Sequence, residues 1–262
     1  MMRSAAALMV LALAGCGRLS GAGDPPAVAT SVNVTSGTTL IGAMHDAYAG
    51  KWFRTISFLQ NNTRYTTTGA EEKSQWYEHL QTPSKLRIAF LPATLKSGII
   101  QVDDRVATFD NARRVDIRRS VNPLLLLTSA VYTQSPAATM RALDTLGVNT
   151  GVFRTDKWKG QNVYVVGAGQ GDSTSSQMWV DRDRLLLVRF IQRERRGSRI
   201  TVSDIRVEKY QEISGYPIAT DFLIVRDGKP FWREEYTNVR VNETLSPDLF
   251  DQTRWVNAPI AQ

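Results

Sequence analysis

The run Phe222-Leu223-Ile224-Val225-Arg226-Asp227-Gly228-Lys229-Pro230-Phe231-Trp232 reads as two strands joined by a tight turn. Tyr216–Arg226 before the turn and residues 231–241 after it are rich in β-branched and aromatic side chains. Asp227-Gly228 supplies the residues that tolerate the backbone of a two-residue hairpin. Such a pair is antiparallel. The same texture recurs toward the N-terminus, at residues 51–61, 72–80, 85–91, 98–103, 106–110 and 114–118, then at 152–154, 162–167, 176–181, 185–193 and 199–212. Each run is bounded by Gly, Pro, Asn or Asp, and short connections make successive strands pair as antiparallel neighbours. About a dozen strands against three helices is far from an alternating α/β pattern, so the fold class is mainly β: one large antiparallel sheet with a few covering α-helices.

The helices fall where a cover is needed. In residues 39–49, Leu40, Ile41, Met44, Ala47 and Tyr48 repeat at helical spacing and stop at Gly50. A helical insertion follows the sixth strand, at 123–132 and 136–146, each part opening on a proline, with Asn122 and Ser135 as caps and Gly147 as the stop. A sheet of this many strands curls because strands twist, and an unclosed one leaves a concave apolar face. Pro123-Leu124-Leu125-Leu126-Leu127 is apolar enough to cover it. Candidate lining residues are Trp52, Ile56, Phe58, Leu86, Ile88 and Phe90 from strands, with Leu124, Leu125, Leu127 and Val131 from the lid. Alternation groups such residues on one face without telling which face is concave.

The N-terminus carries an address. Residues 5–14 are apolar, too short to span a bilayer, and preceded by one charge, Arg3. Leu13-Ala14-Gly15-Cys16 resembles the lipobox of bacterial lipoproteins, and Cys16 is the chain's single cysteine. That resemblance implies cleavage after residue 15 and acylation (palmitate-type) of Cys16, which also removes an odd thiol from an oxidising compartment. Gly17 is not the aspartate linked to inner-membrane retention, so the pattern implies the outer membrane, with the domain facing the periplasm. Residues 16–36 are Gly-, Ser-, Pro- and Thr-rich and read as a tether, roughly 25 Å in average reach. The folded domain is expected over residues 37–257.

The formal charge of +7 favours anionic headgroups over nucleic acid in an exported chain. Arg113, Arg114, Arg118 and Arg119 form one cluster, a candidate headgroup contact; Arg193, Arg195, Arg196 and Arg199 form another at a hairpin tip. A solvated sheet face and a charged hairpin tip are the plainer reading of the two clusters, ahead of a headgroup-binding patch. Enzyme chemistry finds little material. His45 and His79 are the only histidines and make no metal-ligand spacing. Gly167-Ala168-Gly169-Gln170-Gly171 leads into no helix that would hold a phosphate, and Gly171-Asp172-Ser173 has no histidine in a triad context. The expectation is a non-enzymatic protein without cofactor or metal.

Thr82-Pro83-Ser84-Lys85-Leu86-Arg87-Ile88-Ala89-Phe90-Leu91-Pro92, followed by Gly98-Ile99-Ile100-Gln101-Val102-Asp103-Asp104, resembles the paired early strands of the LolA/LolB superfamily. Trp179-Val180-Asp181 with Leu185-Leu186-Leu187-Val188-Arg189 resembles its mid-chain hairpin, and Val239-Arg240-Val241-Asn242-Glu243-Thr244-Leu245-Ser246-Pro247-Asp248-Leu249-Phe250 its ending. The resemblance implies an open, incomplete antiparallel β-barrel lidded by helices, with an apolar cavity for the acyl chains of a lipid or lipoprotein. It implies lipoprotein or lipid transfer or reception at the outer membrane, with a periplasmic carrier protein as a possible partner. The receptor's exposed loop leucine has a counterpart here in Leu95. A second class stays open: a protein-interaction or envelope-sensing module whose core is filled by its own side chains.

Overall fold

The computed structural model describes residues 33–258. The leader, Cys16 and most of the tether lie outside the described residues.

Helix α1 spans Gly37–Tyr48 and begins in a reciprocal cap, Ser36 Oγ accepting from Thr39 N at 3.1 Å and Ser36 N donating to Thr39 Oγ1 at 2.9 Å. Its Leu40, Ile41 and Met44 are fully buried. Thirteen strands follow in chain order: β1 Thr55–Tyr65, β2 Glu71–Gln81, β3 Lys85–Phe90, β4 Gly98–Val102, β5 Arg105–Asp110 and β6 Arg113–Arg119, then β7 Phe153–Trp158, β8 Gln161–Val166, β9 Gln177–Asp181, β10 Leu187–Arg196, β11 Arg199–Ile213, β12 Tyr216–Arg226 and β13 Lys229–Val241. Between β6 and β7 lie α2 Pro123–Thr128, a 3-10 turn Ala130–Tyr132, and α3 Pro136–Thr145.

The strands make one antiparallel sheet in the order β6-β5-β4-β3-β2-β1-β13-β12-β11-β10-β9-β8-β7. The chain therefore runs outward from the middle of the sheet to one edge, and returns from the other edge to pair its last strand with its first. The edges β6 and β7 do not pair, so the barrel stays open. They are consecutive in sequence, and the segment joining them is the helical one. That connection must cross the concave side, which is how α2 and α3 become a lid; α1 packs against α3 and the 3-10 turn.

Two expectations need correction here. The strand read from residue 51 begins only at Thr55, because Lys51–Arg54 turn the chain out of α1. Trp52 is thus off the sheet. The helix read over 123–132 breaks at Ser129, whose φ of −144° and ψ of −65° are not helical. Residues 125–127 and 129–132 are all buried, and a straight helix presents only a stripe to a core. The break re-aims the second half, where Tyr132 Oη donates to Leu185 O at 3.2 Å. Before the break, Asn122 Oδ1 accepts from Leu124 N and Leu125 N at 3.0 and 3.1 Å, with Pro123 at the first helical position.

The convex side of β3–β5 has its own cover. The C-terminal turns bring Trp255 against Ala89, Ile100, Ala107 and Phe109, with the Phe109 and Trp255 rings stacked at 4.5 Å. Arg87, fully buried, donates to Leu249 O at 3.2 Å and Trp255 O at 2.8 Å, and its guanidinium lies 4.1 Å from the Trp255 ring.

Candidate functional site

Alternation along β1 places Ile56, Phe58, Gln60 and Asn62 on the concave face. Their partners on β2 are Leu80, Glu78, Trp76 and Ser74, and the β3 residues opposite are Leu86, Ile88 and Phe90. From the other half of the sheet come Ile205, Ile218, Ile224, Glu234 and Tyr236. Over them lies α2 with Leu124, Leu125 and Thr128. These elements enclose a cavity of about 270 Å³, just below the span of roughly 300–1,000 Å³ usual for ligand pockets.

Six of the residues expected from sequence line it: Ile56, Phe58, Leu86, Ile88, Leu124 and Leu125. Four do not. Trp52 packs with its ring 4.1 Å from that of Tyr132, tilted, and 4.9 Å from that of Tyr48 of α1, edge-on. Leu127 and Val131 are fully buried in the main core: Leu127 lies on the side of α2 away from Leu124, Leu125 and Thr128, and Val131 follows the break at Ser129. Phe90 shares the concave face but lies past the cavity, 5.1 Å from Trp76.

The residues that sequence reasoning missed are the polar ones. Gln60, Glu78, Glu234 and Tyr236 face the same space as the leucines. A carboxylate on a strand ordinarily reads as a solvated position. The available signal was phase: Glu78 alternates with Trp76 and Leu80, so it shares their face. Burial holds the Glu78 carboxyl well above the usual range, and the charge of Glu234 adds to this. Burial likewise pushes Glu234 up to about 7, against hydrogen bonds from Tyr236 and Trp232 that favour its ionised form. Tyr236 Oη donates to Glu234 Oε2 at 3.1 Å, and its own hydroxyl is held well up by burial and by both carboxyls.

A second space of about 630 Å³ lies between the lid and the β3–β6 turns, bordered by Asp103, Asp104, Arg119, Leu126 and Arg141. Asn122 and Leu125 border both spaces, so α2 is the wall between them. Leu95 sits on the 3-10 turn Ala93–Leu95 between β3 and β4 and is 47% exposed. Arg113, Arg114, Arg118 and Arg119 lie on the fully exposed edge strand β6. There Arg118 pairs with Asp116 at 2.8 Å and Arg119 with Asp104 at 2.6 Å. Among the described residues, no group of three or more His, Cys, Asp or Glu side chains could hold a metal, and no helix is long and apolar enough to cross a membrane.

No protein-family model and no curated protein matches this sequence. Solved structures do match in fold. A LolA superfamily protein from Nitrosomonas europaea aligns over 84% of this chain and 99% of its own at 12% identity, with a TM-score of 0.55. An outer membrane lipoprotein-sorting protein domain from Vibrio parahaemolyticus covers 82% of this chain and 97% of its own, also at 12% identity and a TM-score of 0.55. A DUF1329 family protein from Desulfovibrio piger covers 83% and 96% at 16% identity, with a TM-score of 0.53. Thirteen strands in one open antiparallel sheet, lidded by the helices that join its edges, thus make a fold similar to that of these solved LolA-superfamily and lipoprotein-sorting structures.

Proposed function

We propose that the chain is a non-enzymatic binding protein that takes an acyl-bearing lipid or lipoprotein into the space under α2. In this reading it is anchored through acylated Cys16 at the outer membrane, with its domain in the periplasm. The observation that carries the reading is the cavity itself. A lid helix six residues long leaves an apolar, unfilled volume over the concave face, where a merely structural core would be packed to crystal-like density. Similarity in fold to LolA-superfamily and lipoprotein-sorting structures supports the same class of ligand. Movement of α2 would join the two spaces that it separates, which is how a ligand larger than 270 Å³ would be accommodated.

Native mass spectrometry of the purified protein, followed by lipid extraction, tests the proposal. The expected result is a co-purified acyl lipid near one-to-one occupancy. A clean apo mass, unchanged after incubation with lipids and an acylated peptide, would favour an interaction module instead.

A further inference from the structure

The cavity lining changes character along β1. Toward the lid it is aliphatic and aromatic; toward the hairpin tips the lining reaches Gln60, and the same face continues just beyond it as Asn62. Strand register builds the polar end. Phe58 lies opposite Glu78, Gln60 opposite both Trp76 and Tyr236, and Asn62 opposite Glu234. Residues directly opposite on adjacent strands share a face, so two carboxyls, an amide pair and two aromatic rings converge there. The Phe58 and Tyr236 rings stack at 4.0 Å, and Trp76 is backed by Trp232 at 5.4 Å.

Elsewhere on this sheet, part-buried carboxylates are matched by arginines: Asp204 by Arg189 and Arg206 at 2.7 Å each, and Asp221 by Arg233 at 2.5 Å. Among the described residues that line the cavity there is no Lys, Arg or His. The positive partner of Glu78 and Glu234 is therefore not supplied from the cavity wall. A second observation is independent of the acids. Asn62 is 2% exposed, its Oδ1 accepts from Gln60 Nε2 at 2.6 Å, and its Nδ2 has no partner. That buried donor, on the face shared with Glu234, wants an acceptor.

We propose that this end of the cavity binds the ammonium group of an amphiphile. The ammonium N–H groups donate to Glu78 and Glu234 while the faces of Trp76 and Tyr236 attract the cation. A carbonyl or hydroxyl oxygen beside the ammonium accepts from Asn62 Nδ2, and the apolar tail lies along Phe58, Ile56 and Ile88 beneath α2. An anionic head would meet two carboxyls and, among the described lining residues, no cation. This assignment rests on the cavity being an amphiphile site and adds the kind of head that the ligand carries. Bound ammonium favours ionised carboxylates, whose protons pass to solvent, so affinity rises with pH where they titrate. The titratable groups facing Glu234 are Glu78 from β2 and Tyr236 from β13; one step further along the same face Arg64 of β1 and Glu72 of β2 are paired with each other at 2.9 Å, both exposed. Strands β1 and β12 and helix α2 turn Gln60, Asn62, Phe222, Ile224 and Leu124 toward it, none of which titrates.

The test is titration calorimetry of the full-length chain, held in a nonionic amphipol, with dodecylamine, dodecanol and dodecanoate at pH 8 and pH 5.5. Dodecylamine is expected to bind roughly tenfold or more tighter than dodecanol at pH 8, with dodecanoate weakest. The preference should shrink at pH 5.5 and in the Glu78→Gln, Glu234→Gln double variant. Binding of dodecanol or dodecanoate as tightly as the amine would overturn the ammonium assignment and leave the acyl cavity standing. Failure of all three to bind would overturn both. The comparison within the unmodified chain decides the matter even where the double variant does not fold.

Discussion

Two titrating side chains on opposite faces of the sheet, half-buried Glu234 and buried His79, pull stability in opposite directions. Glu234 is pushed up to about 7 by burial, so between about pH 4.5 and 7 the folded state holds a proton that the unfolded state has lost. Its contribution is present at low pH and is lost as pH rises through that window, on the order of 2–3 kcal/mol. His79 faces Ser57, Arg87 and Tyr77 on the convex side, with Ser57 Oγ 3.0 Å from its Nδ1. Burial, and then the charge of Arg87, lower it to about 4. The unfolded state then binds the extra proton between about pH 6.5 and 4, and stability falls as the solution is acidified. The windows overlap and partly cancel, so a pH profile of the unmodified protein will look flatter than either group alone would make it. Urea denaturation at pH 5 and 8 should show Glu234→Gln gaining stability mainly at pH 8 and His79→Gln gaining it mainly at pH 5. Equal changes at both pH values would mean that neither group titrates as its burial implies. The carboxyl of Glu78 is easily passed over in the sequence because composition treats an acid on a strand as solvated. Only its phase with Trp76 and Leu80, known once the register is known, puts it inside.

Strands were the most legible elements, since alternation and turn residues act locally. The hairpin at Asp227-Gly228 appears with Asp227 at φ +50° and Gly228 at φ +76°. The ends of helices were less so. Leu127 and Val131 were misplaced because a single helix was assumed where the core demands burial on more than one side, and Trp52 because period two was extended four residues beyond the strand. The lid is the element whose alteration reports on function. Leu124 is half-buried at the cavity roof, and Leu124→Trp is expected to fill the space, expel bound amphiphile and leave the melting temperature within a few degrees; unchanged ligand occupancy in mass spectrometry would sink this placement of the site. The C-terminal clamp makes a separate prediction. Arg87→Leu removes both carbonyl contacts and the stacking on Trp255, and should cost about 3 kcal/mol. Limited proteolysis would then cut first near residues 245–258 while the remaining sheet resists. The turn after β8 is tighter than its composition suggests: Gly167 has φ +109°, and an added Cβ would lie 2.3 Å from Ser176 O. Gly167→Ala should therefore lower stability by about 2–3 kcal/mol in a thermal melt.

At the scale of the whole molecule, the open barrel and its crossing lid follow from one topological fact, that the chain's two edge strands are neighbours in sequence. Mean strand count and helix positions made that architecture readable, whereas cavity volume depended on where α2 stops, which no local pattern encodes. The pairing of β1 with β13 has a further consequence, in time. Thr63 lies opposite Arg233 and Ile56 opposite Val241, so the central seam joins segments from the two ends of the domain. A ribosome delivers the first of these well over a hundred residues before the second. Until β13 emerges, β1–β6 and β7–β12 are two half-sheets, each with an unpaired strand where the seam will form, and no continuous core. Such non-local closure places folding in the slow, millisecond-to-second class. A chain truncated after Arg226 should show no cooperative unfolding transition in a thermal melt, whereas one that continues through β13 should show a single one, because only the last strand turns two half-sheets into one folding unit.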